Sequence, residues 1–509
     1  MRYDVVVVGG GTAGAPLAAR LSEDPDRTVL LLEAGPASHG DAVPAEVRDG
    51  TTLRAVLPGH PLTWSYPALL APVRPYTVAR GRILGGSSAI NGGNFVRARP
   101  EDFDGWAALG NPEWSYEQVL PVLRALETDL DHGDTAIHGG SGPMPVARAP
   151  QHSPVAQAFH SAAAEHGFGA EPDKNAPGAP GVGALPRTVV AGVRRNTAMQ
   201  YLDPVRYRRN LVIRGGARVL RVRVERGRAT GVELETAGRR EFVHAQEVVL
   251  TSGAIGSPHL LLASGIGPAD ELTALGVPVV ADLPGVGRDF TDHPQLAVQW
   301  HGRTYPAARR PESFVAALDF SSPGGPPQGD LEILLAEQPL EALLSGTPNE
   351  SGGGTLLVGL QIPQSRGRIS LRAADPYAHP RIDYHYLNEP TDRARLRHGL
   401  RTALSLLRSG PFTGLVDQFI DLELRTTTSA ELDQWMDTRL GTAIHLCGSA
   451  RMGPEHDHGA VVDQYGRVRG VAGLRVADTS ILPTAPSRGP ASTAVLIGEL
   501  VARFIRRGD

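Results

Sequence analysis

Polar Tyr3 and Asp4 give way to an unbroken apolar run, Val5 to Val8, followed by Gly9-Gly10-Gly11-Thr12-Ala13-Gly14 and the mixed stretch Ala15 to Leu21. A second apolar run, Thr28 to Leu32, stops at Glu33. Short continuous apolar runs bounded by turn residues predict buried strands, and the segment between them predicts a helix, so residues 3 to 35 spell a βαβ unit. Between residues 291 and 380 the pattern changes. Short apolar runs there alternate with loops such as SSPGGPPQGD and GTPNESGGG, which predicts a sheet with long connections that shape a pocket. Arg, Asp, Gly or Pro interrupts every hydrophobic run before the roughly 18 apolar residues that a membrane span needs, and no internal repeat is visible.

Gly9, Gly11 and Gly14 match G-x-G-x-x-G between the predicted strand and helix. The first glycine permits the turn, the second lets backbone approach a pyrophosphate, and the third lets helix pack on strand. The helix N-terminus offers unpaired N–H groups to the phosphates. Glu33, 22 residues after Gly11, is placed to accept hydrogen bonds from ribose hydroxyls, where an arginine would have pointed to a 2′-phosphate. The pattern predicts a dinucleotide and leaves FAD and NAD unseparated.

Composition narrows the remaining classes. A chain of 509 residues exceeds what one core usually fills, so two packed domains are expected. A formal net charge of -4 gives no basic field for nucleic acid. One cysteine, Cys447, excludes an intrachain disulfide and a thiol metal cluster, and Met1 to Asp4 leave no room for a signal-peptide n-region before Val5. A soluble cytoplasmic protein is expected. Lys174 is the one lysine; in EPDKNAPGAPGVG it reads as an exposed loop residue with no apolar pocket to activate it for Schiff-base chemistry.

A second glycine cluster lies in ARGRILGGSSAINGGNFVRARPEDFDGW, residues 79 to 106. Adjacent glycines cost about 1 kcal/mol each in a helix interior, so Gly85-Gly86-Ser87-Ser88 suits a loop whose backbone lies against a ligand. This stretch resembles the first signature of the glucose-methanol-choline oxidoreductase family. TSGAIGSPHLLLASGIGP (251 to 268) resembles its second signature, and LPGVGRDFTDHP (283 to 294) and VVDQYGRVRGVAGLRVADTSILP (461 to 483) resemble its later segments. The resemblance implies an α/β, two-domain fold: a Rossmann-like FAD-binding domain with a substrate domain built on an antiparallel sheet. The FAD domain would be assembled from residues 1–150, 198–293 and 441–509, and the substrate domain from 151–197 and 294–440.

The same resemblance implies that FAD is held by Gly9, Gly11, Thr12, Ala13, Gly14, Glu33, Ala34, Arg80, Gly85, Gly86, Ser87, Ser88, Asn91, Gly92, Val219, Gly253, Asp478, Ala491 and Ser492. Ser88 and Asn91 are the side chains expected to hydrogen-bond the flavin. The family's pattern H-x-x-G-T-x-x-M-G is matched by His445 to Gly453 with Ser449 for Thr, so His445 inherits the role of the base that removes the hydroxyl proton while flavin N5 takes hydride. Imidazole has the right basicity for that task at neutral pH. Cys447, two residues on, lies among apolar neighbours and reads as buried packing. EHDH, 455 to 458, reads as a charged surface loop rather than a metal site. A second polar residue is expected across from His445; in SRGPASTAVLIGE, residues 487 to 499, its position falls on Ala491, leaving Arg488 and Ser492 as candidate substrate contacts.

ETDLDHGDTAIHGGSGPMPV, HLCGSARMG and SRGP are similar to a mycofactocin-associated branch of the family, which implies reduced mycofactocin as substrate and a respiratory acceptor, at the inner membrane face if the protein works there. The alternatives are an alcohol oxidase or dehydrogenase for a sugar or natural-product alcohol, and a flavin-binding protein without turnover. Where some family members attach FAD through a histidine just before the asparagine, this chain has Ile90, which has no nucleophile. FAD should therefore be noncovalent. Acid or heat denaturation is expected to release all of the flavin into the supernatant; flavin that remains on the denatured polypeptide would show a covalent bond.

Overall fold

The computed structural model describes residues 2–302, 313–346, 352–420 and 428–509. The middle of the loop GTPNESGGG falls outside them. The predicted βαβ unit forms the middle of one large sheet. Arg2–Val8 lies between Val29–Leu32 and Arg239–Leu250, parallel to both, with Val6 opposite Leu30 on one side and Val248 on the other. Leu211–Arg214 extends the parallel part, and Arg228–Thr236 and Ala217–Glu225 add antiparallel strands beyond Arg239–Leu250, which Leu474–Val476 also joins. Val5 to Val8 and Val29 to Leu32 are buried along their length because helices cover the sheet, as continuous apolar runs require.

The helix Gly14–Leu21 begins directly at the glycine turn and packs against the C-terminal helix Ala491–Arg507. Close backbone approach fixes two residues there. A Cβ on Gly14 would lie 1.9 Å from the Gly9 carbonyl oxygen, and one on Gly498 would lie 2.2 Å from that of Ala13. The third glycine of the fingerprint thus serves packing, as its spacing predicts.

The second sheet is antiparallel, in the order Gln418–Ile420, Pro294–His301, Gly354–Leu360, Leu331–Ala336, Ala316–Phe320, Val182–Ala184. Leu331, Ile333 and Leu335 join the core that includes Leu396, Leu400 and Leu404 of the helix Pro390–Leu407, whereas Leu334 and Ala336 join a separate apolar cluster with Phe314 and Leu357. Period-two alternation therefore gives this sheet one face on a helix and one on the space between the sheets. Gly441–Thr442 pairs with Pro294–Gln295, so the chain is still in this sheet at residue 442.

Lys174 corrects an expectation. It is buried, with Nζ 2.7 Å from Glu171 Oε2, 2.7 Å from Asp319 Oδ2 and 3.0 Å from the Gly181 carbonyl oxygen. Arg99 and Arg488 complete the cluster: Arg99 Nη2 lies 3.1 Å from Glu171 Oε1, and Arg488 pairs with Glu171 and reaches Asp319 at 3.4 Å. The Pro/Gly content around Lys174 said nothing about Asp319, which arrives from a strand 145 residues later. The cluster binds that strand to the loops at Arg99 and Arg488. Breaking a buried charge set by removing one partner costs about 3–5 kcal/mol. Lys174→Met, which keeps length and removes charge, is expected to lower the urea midpoint of the holoenzyme correspondingly; a midpoint equal to that of the parent would contradict the burial.

Candidate active site

A cavity of about 510 Å³ lies between the two sheets. Two larger depressions, of about 920 and 1210 Å³, are open surface grooves that contain none of the candidate residues. One end of the cavity is built by both glycine segments. Gly11 and Gly86 approach so closely that a Cβ on Gly86 would sit 2.7 Å from the Gly11 α-carbon, and Gly86 has φ +53°, which suits glycine. Glu33 is buried at the adjoining wall and accepts N–H groups from Gly10 at 3.0 Å and Gly35 at 2.8 Å. Burial raises its carboxyl to about 7 against those hydrogen bonds. Asp478 is held by the Gly253 N–H at 2.9 Å.

Gly9, Gly11, Thr12, Ala13, Glu33, Ala34, Arg80, Gly86, Ser87, Asn91, Gly92, Val219, Gly253, Asp478 and Ala491 all line this cavity. These residues fit FAD: a side-chain-free glycine cradle beside an uncapped helix N-terminus for phosphates, and a carboxyl at the ribose position. Ile90 also lines it and offers only carbon. Ser88 does not line it; its hydroxyl donates to the Gly85 carbonyl at 2.6 Å and lies 3.2 Å from Thr197 Oγ1. Gly85, at φ +89°, turns the loop, and Gly14 packs against the Gly9 carbonyl instead of facing the cavity. The Asn91 side chain accepts the Gly93 N–H at 3.0 Å, which braces the same loop.

His445 stands at the other end. Its backbone N–H donates to Asp292 Oδ1 at 2.7 Å, and the N–H of His293 donates to the same oxygen at 2.7 Å. The two imidazoles meet edge to face, with Nδ1 of His293 2.9 Å from Nδ1 of His445. His293 is fully buried, and His445 is half-buried with its open edge on the cavity. Burial holds His293 at about 3, and enclosure by protein, then the neighbouring His293 and Arg80, hold His445 well below the ordinary imidazole range. Burial likewise raises Asp292 to about 6 against the pull of Arg80.

The Nδ1–Nδ1 contact needs a proton from one of the two rings. The carbonyls of Pro486 and Gln361 lie beside the His293 ring without closing a hydrogen bond of good geometry. A proton on His293 Nε2 would leave its Nδ1 as an acceptor. In that tautomer His445 donates from Nδ1 and its Nε2 carries the lone pair. That edge of the ring faces Gly489, where a Cβ would lie 3.3 Å from Cε1 and 3.4 Å from Nε2. Ile444, just before it, has φ +63°, a left-handed conformation that branched residues rarely adopt. It is held there by Arg80 Nη1, 2.7 Å from its carbonyl oxygen, and by Thr442 Oγ1, 3.1 Å from its N–H.

Three sequence expectations are corrected at this end. The residue across from His445 is Gly489, not Ala491, because Pro490 ends the loop and Ala491 already begins the helix beyond it. Arg488 does not line the cavity; its guanidinium is buried in the cluster with Glu171, Asp319 and the Lys174 carbonyl. Ser492 is turned into the helix packing and donates to the Val96 carbonyl at 2.7 Å. Cys447 is buried, its thiol donating to the His445 carbonyl at 3.1 Å and raised well above its ordinary range by burial, so it is packing. The sequence contained His293 and Asp292 inside FTDHP, but nothing local marked them as partners of a residue 152 positions away.

A Rossmann-type sheet with its glycine cradle, opening onto a histidine under an antiparallel sheet, is the arrangement of a dinucleotide-dependent oxidoreductase. The comparisons agree. The GMC oxidoreductase profiles match residues 3–295 and 363–498. The chain is 42% identical over 507 residues, 99% of its length and 98% of the relative's, to an uncharacterized GMC-type oxidoreductase in the thcA 5′ region of Rhodococcus erythropolis. It is 35% identical over 544 residues, covering 99% and 98%, to a 5-(hydroxymethyl)furfural oxidase of Methylovorus sp.. The crystal structure of pyridoxine 4-oxidase from Mesorbium loti superposes with a TM-score of 0.89 at 31% identity over 99% of both chains. The chain belongs to the GMC oxidoreductase family: it is an FAD-dependent enzyme that oxidises alcohol groups. Among the described residues no helix is long and apolar enough to cross a membrane.

A base acts in its unprotonated form, and His445 keeps that form below pH 6.5 because its pKa is depressed. If His445 is the base, the acid limb of kcat/KM falls well below pH 6.5. The same depression acts on stability: both histidines are neutral when folded and take protons near pH 6.5 when unfolded, so stability falls as pH drops below about 6.5. An acid limb at pH 6.5 or above in the pH profile would contradict this assignment.

Proposed function

We propose that His445 Nε2 is the base for oxidation of a small-molecule alcohol bound between Gly489 and the antiparallel sheet. The observation that carries this reading is the His445–His293 contact together with Gly489, whose missing side chain leaves that edge of the ring uncovered: a Cβ there would stand 3.3 Å from Cε1 and 3.4 Å from Nε2. FAD, when bound, supplies the two-electron acceptor. The alcohol O–H donates to His445 Nε2. A base whose basicity is depressed by burial does not generate a free alkoxide; it takes the proton as the carbinol C–H bond breaks. His293 Nδ1 accepts from His445 Nδ1 throughout, fixing the ring and spreading the positive charge that the proton brings. Asp292 fixes the backbone under both rings.

Gly489 supplies no second polar group, so proton removal rests on one imidazole. The wall facing it is largely apolar, with Phe314, Leu334, Leu340 and Leu357. This suits a compact, partly apolar alcohol. Reduced mycofactocin and a respiratory acceptor are supported only by the likeness of short segments, and they form a separate arm of the same test.

His445→Ala holoenzyme is expected to retain FAD while anaerobic bleaching of the flavin by an alcohol slows about 10²–10⁴-fold. The panel would include 5-(hydroxymethyl)furfural, pyridoxine, benzyl alcohol and reduced mycofactocin, with oxygen or a quinone mixed in afterwards. Bleaching by reduced mycofactocin alone would select that substrate instead. A rate within threefold of the parent would remove His445 from the reaction.

A further inference from the structure

Glu332 lies midway along Leu331–Ala336, its side chain on the cavity face with Leu334 rather than with the helix-covered Leu331, Ile333 and Leu335. Its neighbours across the sheet are Asp319 and Gly359. Gly359 contributes no side chain, and the space beside it is taken by Gln361, whose Nε2 donates to Glu332 Oε1 at 3.1 Å. Among the described residues this is the one hydrogen bond to the Glu332 carboxyl, and no cation closes an ion pair with it. The largest charge effect on it is the like charge of Asp319, and Lys174, which acts in the opposite sense, is held by Glu171 and Asp319.

When ionised, a carboxyl that is 5% exposed and has no cationic partner costs several kcal/mol to desolvate. Phe314, Leu334 and Leu357 on the same wall show that apolar side chains fit there. The amide oxygen of Gln361 beside it is also buried without a donor. A buried carboxyl with a single hydrogen bond and an amide oxygen short of a donor, on the wall of the cavity that holds His445, describe half of a binding contact.

We propose that Glu332 is the specificity-determining contact of this cavity, accepting a hydrogen bond from a hydroxyl or amino group that the alcohol carries away from its reacting carbinol. Preferred substrates are then diols or amino alcohols rather than simple monofunctional alcohols. Burial and the like charge of Asp319 raise the Glu332 carboxyl to about 8, so at neutral pH it can also donate to a hydroxyl oxygen. This inference rests on the alcohol site proposed above.

The test compares parent, Glu332→Gln and Glu332→Leu holoenzymes on benzyl alcohol, 1,3- and 1,4-benzenedimethanol, and the 3- and 4-(aminomethyl)benzyl alcohols. In the parent, kcat/KM for at least one bifunctional alcohol should exceed that for benzyl alcohol by about tenfold or more. Glu332→Leu should bring the ratio close to one. Glu332→Gln, the near-isosteric variant, should keep part of the diol preference and lose the amine preference. A second readout needs no turnover: perturbation of the oxidised flavin spectrum by p-cresol and 4-methylbenzylamine, which carry the donor but no carbinol. Their Kd should weaken at least tenfold in Glu332→Leu. Unchanged ratios and unchanged Kd values overturn the role of Glu332. Weakened Kd values with no alcohol oxidised by the parent uphold the contact and overturn the alcohol reading instead.

Discussion

Asp292 Oδ1 accepts the backbone N–H of the residue that follows it and the backbone N–H of His445, and the active end of the cavity is organised around that shared oxygen. The two segments it joins also pair directly. Thr291 and Cys447 exchange both backbone hydrogen bonds at 2.9 Å, and the Ala443 N–H donates to the His293 carbonyl at 3.0 Å. One segment leads into the antiparallel sheet and the other leads out of it. The relative position of the two imidazoles is therefore fixed where the chain passes between its two sheets, and their mutual hydrogen bond follows from that placement.

Charge is managed differently at the two sides of the cavity. Around Lys174, three cations and two carboxylates are gathered so that each finds a partner, and Arg488 carries that order to the loop whose next residue is Gly489. The surface opposite His445 is thus held by a buried ionic anchor one residue away. At His445 the device is the reverse: enclosure strips charge from both rings and leaves a directed lone pair. The first arrangement is costly to break by removing one partner, and the second is where the proposed chemistry lies.

Much of the flavin half was legible in the sequence because its signals are local. Val5 to Val8, the spacing of Gly9, Gly11 and Gly14, and the position of Glu33 each state a backbone requirement within a few residues, and the structure meets them. The alcohol half was legible only as far as His445. Its partner His293, the clamp Asp292 and the wall residue Glu332 come together through sheet pairing over more than a hundred residues, which no local pattern encodes. Lys174 and Arg488 were misplaced for the same reason: burial of a charge depends on acids brought from elsewhere. The shift from Ala491 to Gly489 has a different cause. Where a loop becomes a helix, counting residues along the sequence does not fix which one faces a neighbour, and two residues decide whether a side chain meets His445 or sits on the helix.

Ile444 carries a cost that the rest of the site does not. A branched residue in the left-handed region gives up about 1–3 kcal/mol, a sum that the surrounding contacts must hold in place. Thr442 and Arg80 supply those contacts, and Arg80 also belongs to the cavity wall. For protein engineering the consequence is direct. A search for thermostability would nominate glycine or asparagine at position 444, relieve the strain, and give the chain freedom at the joint that aims His445. The gain in melting temperature and the loss in catalytic alignment would come from the same φ angle, which makes this position a place where robustness and activity are traded against each other.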